Sequence, residues 1–313
     1  TMPAANAPAA AAPRTSNTGK VFWPREGYTK GDLIEHYRSV APWLLPYLED
    51  RPLVLTRYPD GIEGKSFYQK DAPEFAHGLL RTVALWSEAS QRTIDYFVCS
   101  DAAGLVFLAN LGTIPLHLWS SRVGALDRPD WSILDLDPKG APFAHVVALA
   151  LAIKRLCDEI GLPAFVKTSG ASGLHVLLPL GGQCTYEQSR SLAHLVAWTL
   201  SREHPRLATI ARPLRERQGK VYVDYLQNAH GQLLVAPYSV RPLPGAPVST
   251  PLQWSEVGPR LDPARFTIRT LPARLSALAA DPLRGALTTR PDLVSAIAAL
   301  ERRVERSGSA GPR

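Results

Sequence analysis

The sequence predicts a mixed α/β or α+β domain, in which mixed or antiparallel central sheets are flanked by helices. Strand-like and helix-like segments alternate along most of the 313 residues. The strands are short and separated by turn residues, and long apolar runs typical of a parallel sheet are few. With 45% hydrophobic and 20% charged residues, the chain has the composition of a folded domain with ample material for a core.

Local signals place the elements of the first third. Thr29 is a good N-cap for a helix through about residue 41, and Pro42 is expected to end that helix. Asp101 caps a second predicted helix through Leu111. Strands are predicted at residues 52–58 and 67–70, on either side of a Pro-Asp-Gly turn.

The remaining elements follow from hydrophobic periodicity and capping patterns. The predicted strands are residues 131–137, 164–168 and 174–180. The predicted helices are 143–160, closed by Gly161, a helix to about residue 203 that begins with a Thr185 and Gln188 capping box, and 292–305. Two further strands, 220–226 and 233–241, are interpreted as a hairpin pair.

The two ends of the chain lack this periodicity. Residues 1–16 are rich in Ala and Pro and are predicted to be a linker, and residues 306–313 are predicted to be a disordered tail. Residues 17–305 would then form one folded domain. The linker suggests that other domains of a longer chain precede this one.

The charge and the cysteines narrow the class of protein. There are 35 basic and 28 acidic residues, most of the basic ones arginines, which gives a net charge of +7. Because the arginine fork matches phosphate geometry, this balance favours phosphate or nucleic-acid partners, with a solvated surface as the alternative. No apolar run is long enough to span a bilayer, and three scattered cysteines offer neither a disulfide framework nor a zinc knuckle.

The most specific chemical feature is the predicted strand Ser-Ile-Leu-Asp-Leu-Asp-Pro at residues 132–138. Side chains alternate along a strand, so Asp135 and Asp137 share one face. Two carboxylates so close raise each other's pKa unless a cation lies between them, and their oxygens suit Mg²⁺ or Mn²⁺. The alternative is an exposed strand end with two solvated acids.

A third aspartate strengthens the metal hypothesis. Asp224 lies in an otherwise apolar strand, where a carboxylate is costly without a partner. Three strand-borne aspartates can hold two cations about 3.5–4 Å apart, an arrangement that serves phosphoryl or nucleotidyl transfer. Taken alone, Asp224 fits an acid on an edge strand equally well.

Residues 167–175, Lys-Thr-Ser-Gly-Ala-Ser-Gly-Leu-His, form a glycine and serine turn between two predicted strands. Such a turn exposes backbone N–H groups, and the hydroxyls of Ser169 and Ser172 add donors, so it could cradle a phosphate. An ordinary hairpin turn is the alternative. His175 could contact phosphate or pack in the core.

These motifs occur in a specific order. They are Asp-Leu-Asp-Pro at 135–138, the turn at 168–175, Val-Asp-Tyr-Leu-Gln-Asn at 223–228 and Val-Ala-Pro-Tyr-Ser-Val-Arg at 235–241. The ordered set resembles the polymerase domain of the bacterial non-homologous end-joining ligase D, in the archaeo-eukaryotic primase superfamily. The resemblance extends from about Asn17 to Pro282, and it implies a primase-like catalytic domain with an RRM-like lobe.

The resemblance also implies roles for the residues that match the family's motifs. The catalytic metal ligands would be Asp135, Asp137 and Asp224. The nucleotide would be bound by Ser169, His175, Arg241, His117 and Gln227. DNA would be bound by Asn17, Lys20 and Lys30 at a recessed 5′-phosphate, by the stacking pair Phe67 and Tyr68, and by Arg217. Because Phe67 and Tyr68 are consecutive in a strand, at most one of them can lie in the core.

The implied activity is template-dependent nucleotidyl transfer with a preference for ribonucleotides. It would extend 3′ ends and fill gaps during non-homologous end joining of double-strand breaks, with two Mn²⁺ or Mg²⁺ ions and with NTP or dNTP as substrate. Implied partners are DNA ends with a recessed 5′-phosphate, ligase and phosphoesterase domains of the same parent chain, and Ku. No membrane is involved, and the implied location is the bacterial cytoplasm, in association with the nucleoid.

Some features depart from the family or allow another function. Ser172 stands where many relatives carry Lys, so one phosphate contact is in question.

One alternative function is a haloacid-dehalogenase-type phosphatase with Asp135 as nucleophile, although its motif usually lies near the N-terminus and continues with Gly rather than Pro138. The other is a non-catalytic module that holds DNA ends. For a polymerase, the basic segment 202–220 is expected to follow the DNA backbone.

Overall fold

The computed structural model describes residues 13–88 and 90–306. Most of the predicted linker and all of the predicted tail after residue 306 lie outside the described residues. The strands are β1 (Val21–Trp23), β2 (Tyr28–Thr29), β3 (Leu53–Arg57), β4 (Phe67–Gln69), β5 (Arg81–Ser87), β6 (Arg92–Val98), β7 (Thr113–Leu118), β8 (Trp131–Asp137), β9 (Phe165–Thr168), β10 (Leu174–Pro179), β11 (Ala208–Thr209), β12 (Val221–Asp224), β13 (Leu234–Val235) and β14 (Pro251–Leu252). The helices are α1 (Lys30–Leu48), α2 (Ala102–Asn110), α3 (Phe143–Ile160), α4 (Tyr186–Glu203), α5 (Leu271–Ala277), α6 (Gly285–Thr288) and α7 (Leu293–Arg306).

Two larger sheets organise these elements, and β1 pairs with β2 apart from both. The first sheet has the strand order β13-β7-β3-β6-β5, with β4 added to β3, and the second has the order β11-β12-β8-β10-β9-β14. Among the described strand pairs only β11 and β12 run parallel. The prediction of mixed or antiparallel sheets flanked by helices is therefore confirmed.

Each sheet has a hydrophobic core on one face. The first core holds α1 and α2 against the first sheet, and the second holds α3 and α4 against the second sheet, with α7 packed on α3. Trp131 and Ile133 of β8 belong to the first core, while Leu134 and Leu136 belong to the second. Strand β8 thus joins the two cores, because its alternating side chains serve both. Within the described residues, none of the helices is long and apolar enough to cross a membrane.

Capping signals located most helix ends correctly. Helices α3 and α4 have the predicted bounds, and Gly161 ends α3 in the left-handed conformation at φ 72°. Thr185 and Gln188 form the predicted capping box of α4. Helix α1 also begins as predicted, with Thr29 and Asp32 in a capping box.

The predicted end of α1 at Pro42 is wrong, because the helix continues to Leu48 and contains Pro42 and Pro46. Pro42 is exposed and Pro46 partly exposed, whereas Leu44 and Tyr47 are buried. The carbonyls that lose a helical partner to proline therefore lie towards water. Burial of the opposite face outweighs the local cost.

The predicted hairpin between residues 220–226 and 233–241 is also wrong. Strand β12 pairs with β8 in the second sheet, whereas β13 pairs with β7 in the first sheet, and β13 ends already at Val235. The connection is held by Asn228, whose side chain accepts from Ile133 N at 2.7 Å and donates to Ile133 O at 2.7 Å. The chain thus crosses between the sheets at this point, beside the cavity described below.

Candidate active site between the two sheets

The second sheet carries a row of four polar residues that lie directly opposite one another on neighbouring strands. Asp224 pairs with Asp135, Asp135 with His175, and His175 with Lys167. Opposed residues of an antiparallel ladder point to the same face, so the four side chains share one face of the sheet. Asp137, two residues beyond Asp135, points to that face as well. The sequence-predicted aspartates are thereby brought together.

Asp135 lies close enough to the other two aspartates for their charges to act on it. Burial, followed by the charges of Asp224 and Asp137, raises the pKa of Asp135 to about 7. Asp224 accepts hydrogen bonds from the Leu226 N–H at 2.8 Å and from the Tyr222 hydroxyl at 3.3 Å. A cation beside these carboxylates would favour their ionised forms, so the chemistry of the donor set fits a divalent metal ion.

The carboxylates are held by protein partners in the present arrangement. Asp137 accepts from the Arg217 guanidinium at 3.1 Å, and Gln227 Nε2 lies 3.4 Å from Asp224 Oδ2. Among residues 13–88 and 90–306, no three His, Cys, Asp or Glu side chains are grouped closely enough to hold a metal ion together. Gln227 lies beside the third aspartate, as the sequence predicted.

The glycine and serine turn lies against the aspartate strand. Gly170 adopts φ 76°, and a Cβ on Gly173 would overlap the carbonyl oxygen of Leu136, so the turn can approach β8 only with glycine there. Ser169 Oγ accepts from the N–H groups of Ala171 and Gly173, both at 3.1 Å. These two N–H groups, expected to face a phosphate, are used within the turn, which leaves the Ser169 hydroxyl proton free to point elsewhere.

A cavity of about 250 Å³ lies between the two sheets at this point. The second sheet and its turn contribute acidic, hydroxyl and imidazole groups, and the first sheet contributes His117 and β13. The predicted site residues that line the cavity are Asp135, Asp137, Ser169, His175, Gln227, Arg241 and His117. Ser172, where relatives carry Lys, lines it too. Residues more than a hundred positions apart in the sequence thus form one site.

Two polar atoms of this site are buried without a protein partner in the described structure: His117 Nδ1 and Arg241 Nε. Burial, then Arg241 and Lys167, lowers the pKa of His117 to about 4, so its ring is neutral at pH 7. Burial, followed by Lys167 and Arg241, also holds the pKa of His175 well below its usual range. Buried polar atoms are seldom left unpaired, so these two point to a ligand with polar oxygens.

A second group of predicted residues lies at the start of α1. The backbone N–H of Lys20 donates to the backbone carbonyl of Asn17 at 3.0 Å, and the backbone N–H of Lys30 donates to the backbone carbonyl of Lys20 at 2.8 Å. Lys30 is buried, and burial, followed by the charges of Lys20 and Arg57, lowers its pKa. Lys20 itself forms an ion pair with Asp60. The three predicted residues therefore come together, and they are not among the residues that line the cavity.

The predicted stacking pair is on the surface. Phe67 is 45% and Tyr68 is 75% exposed, so neither lies in the core. The Arg57 guanidinium lies 5.0 Å from the centre of the Phe67 ring, a cation–π distance. Two adjacent exposed aromatic rings offer a surface that suits base stacking.

Two residues of these sites were not identified from the sequence. Lys167 is fully buried beside His175, and Arg57 lies between Lys30 and Phe67. A lysine inside the apolar stretch of β9 could have identified Lys167 from the sequence, because a lysine is rarely buried without partners. Arg57 carried no such signal, since a strand end is an ordinary place for arginine.

Known proteins resemble this chain over most of its length. The sequence matches the family described as LigD, primase-polymerase domain, over residues 29–283. It is 35% identical over 275 residues to the multifunctional non-homologous end joining protein LigD of Pseudomonas aeruginosa, and 33% identical over 258 residues to the bifunctional non-homologous end joining protein LigD of Bacillus subtilis. These alignments cover 87% and 82% of this chain but 32% and 41% of the relatives. The chain thus spans less than half the length of either relative.

The fold is similar to that of a solved structure, the polymerase domain from Mycobacterium tuberculosis ligase D in complex with DNA. The TM-score is 0.82 at 28% sequence identity, over 88% of this chain and 98% of that chain. The similarity therefore extends over most of this chain and nearly all of that one.

Proposed function

The chain belongs to the LigD primase-polymerase family, and from this premise we propose that it is a template-dependent nucleotidyltransferase. It extends 3′ ends and fills gaps during non-homologous end joining of double-strand breaks, with a preference for ribonucleotides. The observation that supports this most is the composition of the cavity. Asp135 and Asp137 line one side of it, while the unpartnered Arg241 Nε and His117 Nδ1 lie in its wall. Metal-binding and phosphate-binding groups thus meet in one place.

Asp135, Asp137 and Asp224 are the residues that would hold two divalent cations, Mn²⁺ or Mg²⁺. When bound, such ions supply a lowered pKa for the primer 3′-hydroxyl and charge neutralisation for the triphosphate. The protein's own part is to keep three carboxylates on one face of the sheet, in register across β8 and β12. Burial, followed by the charges of Asp224 and Asp137, raises the pKa of Asp135 to about 7, so a cation is needed to favour ionisation of all three carboxylates.

The incoming triphosphate is bound by hydrogen-bond donors that line the same cavity as the carboxylates. Arg241 and His175 offer N–H groups, and the Ser169 hydroxyl is free to donate because its oxygen already accepts two backbone N–H groups. His117, on β7 of the first sheet, approaches from the other wall and contacts the sugar or a phosphate. Because these groups come from both sheets, they orient the nucleotide before the reaction. Such orientation lowers the barrier, since the entropy of bringing the reacting groups together is lost on binding and not in the chemical step.

DNA contacts lie around the cavity. Lys20, Lys30 and Asn17 bind the recessed 5′-phosphate of a broken end, since burial and the nearby Lys20 cation, which together lower the pKa of Lys30, leave that lysine in need of an anionic partner. Phe67 and Tyr68 stack on template or nucleotide bases. Arg217 lies near the end of the segment 202–220, whose basic residues follow the DNA backbone.

The full protein context is also proposed. Residues 17–305 act as a polymerase domain within a longer chain that also carries ligase and phosphoesterase domains. Ku recruits it to DNA ends in the bacterial cytoplasm, in association with the nucleoid. Relatives named LigD, of which the alignments with this chain cover only 41% and 32%, support this context.

Primer extension tests the proposal. The chain is incubated with Mn²⁺, NTPs and a gapped duplex that carries a 5′-phosphate, and Asp135→Ala is compared with wild type. We expect extension by wild type and a loss of at least a hundredfold, about 3 kcal/mol of barrier, in the variant. Asp158→Ala, an exposed carboxylate on α3, is the matched control and retains activity.

The outcomes separate three functions. Full extension by Asp135→Ala contradicts the proposed mechanism. DNA-end binding without extension by wild type supports a non-catalytic end-binding module. A covalent aspartyl-phosphate on Asp135 supports a phosphatase.

A further inference from the structure

The strongest unexplained feature near the cavity is the fully buried Lys167. Its side chain is 0% exposed, and its Nζ lies 2.6 Å from Ser249 Oγ and 2.9 Å from His175 Nδ1. It is not among the residues that line the cavity, and its amine is surrounded by protein groups. Burying an amine is unfavourable unless its hydrogen bonds are made, so this lysine is placed for its partners.

The direction of one of these hydrogen bonds follows from Ser249. Its hydroxyl donates to the carbonyl of Thr168 at 2.7 Å. A serine hydroxyl has one proton, so towards Lys167 its oxygen can only accept. The Lys167 amine is therefore the donor to Ser249, and its position between two partners is fixed by this contact.

The same amine also contacts the imidazole of His175, with Nζ 2.9 Å from Nδ1. When Lys167 donates to Nδ1, the ring proton must be on Nε2, because only one nitrogen of a neutral imidazole carries hydrogen. Nε2 is the atom that faces Asp135, at 3.5 Å from Oδ1, and the ring lines the cavity beside Ser169 and Arg241. A hydrogen on Nε2 suits a neighbouring carboxylate or phosphate oxygen, whereas a lone pair there would be repelled by both.

We propose that Lys167 is a positioning residue that, together with Ser249, fixes His175 in the Nε2–H tautomer. His175 then acts as a hydrogen-bond donor to a triphosphate oxygen, and not as a general base or a metal ligand. The inference rests on the proposed nucleotide-binding function of the cavity. It goes beyond that function because it assigns a role to two residues outside the cavity and a chemical state to one inside it.

The tautomer is measured directly by NMR. The chain is labelled with ¹⁵N-histidine, and the His175 ring signals are assigned by their absence in His175→Gln. Long-range ¹H–¹⁵N correlations distinguish a protonated from an unprotonated Nδ1. We expect the Nε2–H tautomer in wild type and a mixture of tautomers in Lys167→Met, which keeps the length of the stem and loses the donor.

Nucleotide affinity provides the second readout. The dissociation constant of a non-hydrolysable nucleoside triphosphate, measured with Mg²⁺ by calorimetry, should rise about tenfold in Lys167→Met, as expected for the loss of one hydrogen bond to a charged group. Thr250→Val is the matched control, because Thr250 is equally buried and its hydroxyl donates to Val248 O at 2.8 Å. It should change neither tautomer nor affinity.

Two results would overturn the inference: an Nδ1–H tautomer in wild type, or an unchanged tautomer in folded Lys167→Met. If Lys167→Met does not fold, Ser249→Ala takes its place, with the same shift to mixed tautomers expected and an unchanged tautomer again contradicting the inference. The NMR readout needs no turnover. A wild-type chain that shows the Nε2–H tautomer but no primer extension would refute the proposed function while leaving the assignment of Lys167 intact.

Discussion

Arg217 lies across Asp137, with Nη1 3.1 Å from the carboxylate oxygen Oδ2 and the guanidinium carbon 4.0 Å from the centre of the Tyr222 ring. The same guanidinium donates to the carbonyl of Arg212 through Nε and Nη2, at 3.2 and 2.9 Å. One side chain thus connects a proposed metal ligand to the basic segment that is proposed to follow DNA. Arg217 was predicted from the sequence to contact DNA or nucleotide, and that contact remains a prediction.

We expect Arg217→Lys to lower primer extension about tenfold or more, because an ammonium group cannot reproduce the forked contacts to Asp137 and Arg212. Arg215→Lys, at an exposed position two residues away, should leave the rate unchanged. Initial rates at saturating NTP and DNA measure the effect. Equal rates for both variants would show that the contact between Arg217 and Asp137 has no role in catalysis.

Gly173→Ala tests the close approach of the turn to β8. Because the added Cβ would overlap the carbonyl of Leu136, we expect a loss of about 1–3 kcal/mol in the free energy of unfolding, together with weaker nucleotide binding. Gly124→Ala is the control, since a Cβ there meets nothing within 4 Å. Urea denaturation measures both variants, and similar stabilities would contradict the predicted overlap.

His36 should make the free energy of unfolding depend on pH in the acidic range. Its Nε2 donates to the carbonyl of Tyr238 at 2.8 Å, and burial lowers its pKa to about 4, against about 6.5 in an unfolded chain. Between these pH values the unfolded chain binds more protons, so the free energy of unfolding falls as the pH drops from about 6.5 towards 4, by up to about 3 kcal/mol.

The pH dependence is measured by denaturant titrations at several pH values. His36→Gln retains a donor to Tyr238 and removes the titrating group, so its stability should fall less steeply with acid than that of wild type. His204→Gln, at a half-exposed position at the end of α4, should follow wild type. Parallel curves for wild type and His36→Gln would show that His36 does not cause the acid sensitivity.

The basic segment 202–220 should make DNA binding depend steeply on salt. It holds six basic residues against two acidic ones, and Arg206 and Arg212 are exposed. We expect the logarithm of the affinity to fall linearly with the logarithm of salt concentration, and the double variant Arg206→Ala with Arg212→Ala to reduce the slope by about one per lost phosphate contact. Arg302→Ala, exposed on α7, is the control. If the affinity of wild type for DNA hardly changes with salt, the proposed DNA-binding role of the segment 202–220 is contradicted.

The residues at the start of α1 should distinguish a phosphorylated end. Wild type is expected to bind a recessed end with a 5′-phosphate more tightly than one with a 5′-hydroxyl, and Lys20→Ala should reduce that ratio several-fold because it removes one cation from the group. Lys65→Ala, at an exposed position in the loop before β4, should retain the ratio. Fluorescence anisotropy with the two ends measures it, and an unchanged ratio in Lys20→Ala would place phosphate recognition elsewhere.

Local sequence signals accounted for much of the fold. The bounds of α3, α4 and β8 follow from caps, hydrophobic periodicity and an alternating strand, all of which act within a few residues. Where such a signal competed with packing, packing decided: α1 passes through Pro42 because its buried face lies in the first core. A local rule cannot weigh that burial, since it depends on the elements packed against the helix.

For the candidate site, too, the sequence predicted some features, and others depend on the tertiary structure. The motifs named Asp135, Asp137, His175 and Arg241, and the alternation of a strand placed the first two on one face without any further structure. Their assembly with His117 could not be derived from spacing, because it depends on β13 pairing with β7 rather than with β12.

By itself, the sequence determined which chemical groups this protein has and on which local elements they lie, since capping and strand alternation are fixed by neighbouring residues. Only the tertiary structure decided that Arg217 holds Asp137 and that a buried Lys167 holds His175. The physical reason is that a buried charge is tolerated only where partners from other strands satisfy it. Those partners are set by the register of the sheet, which pairs residues far apart in the chain.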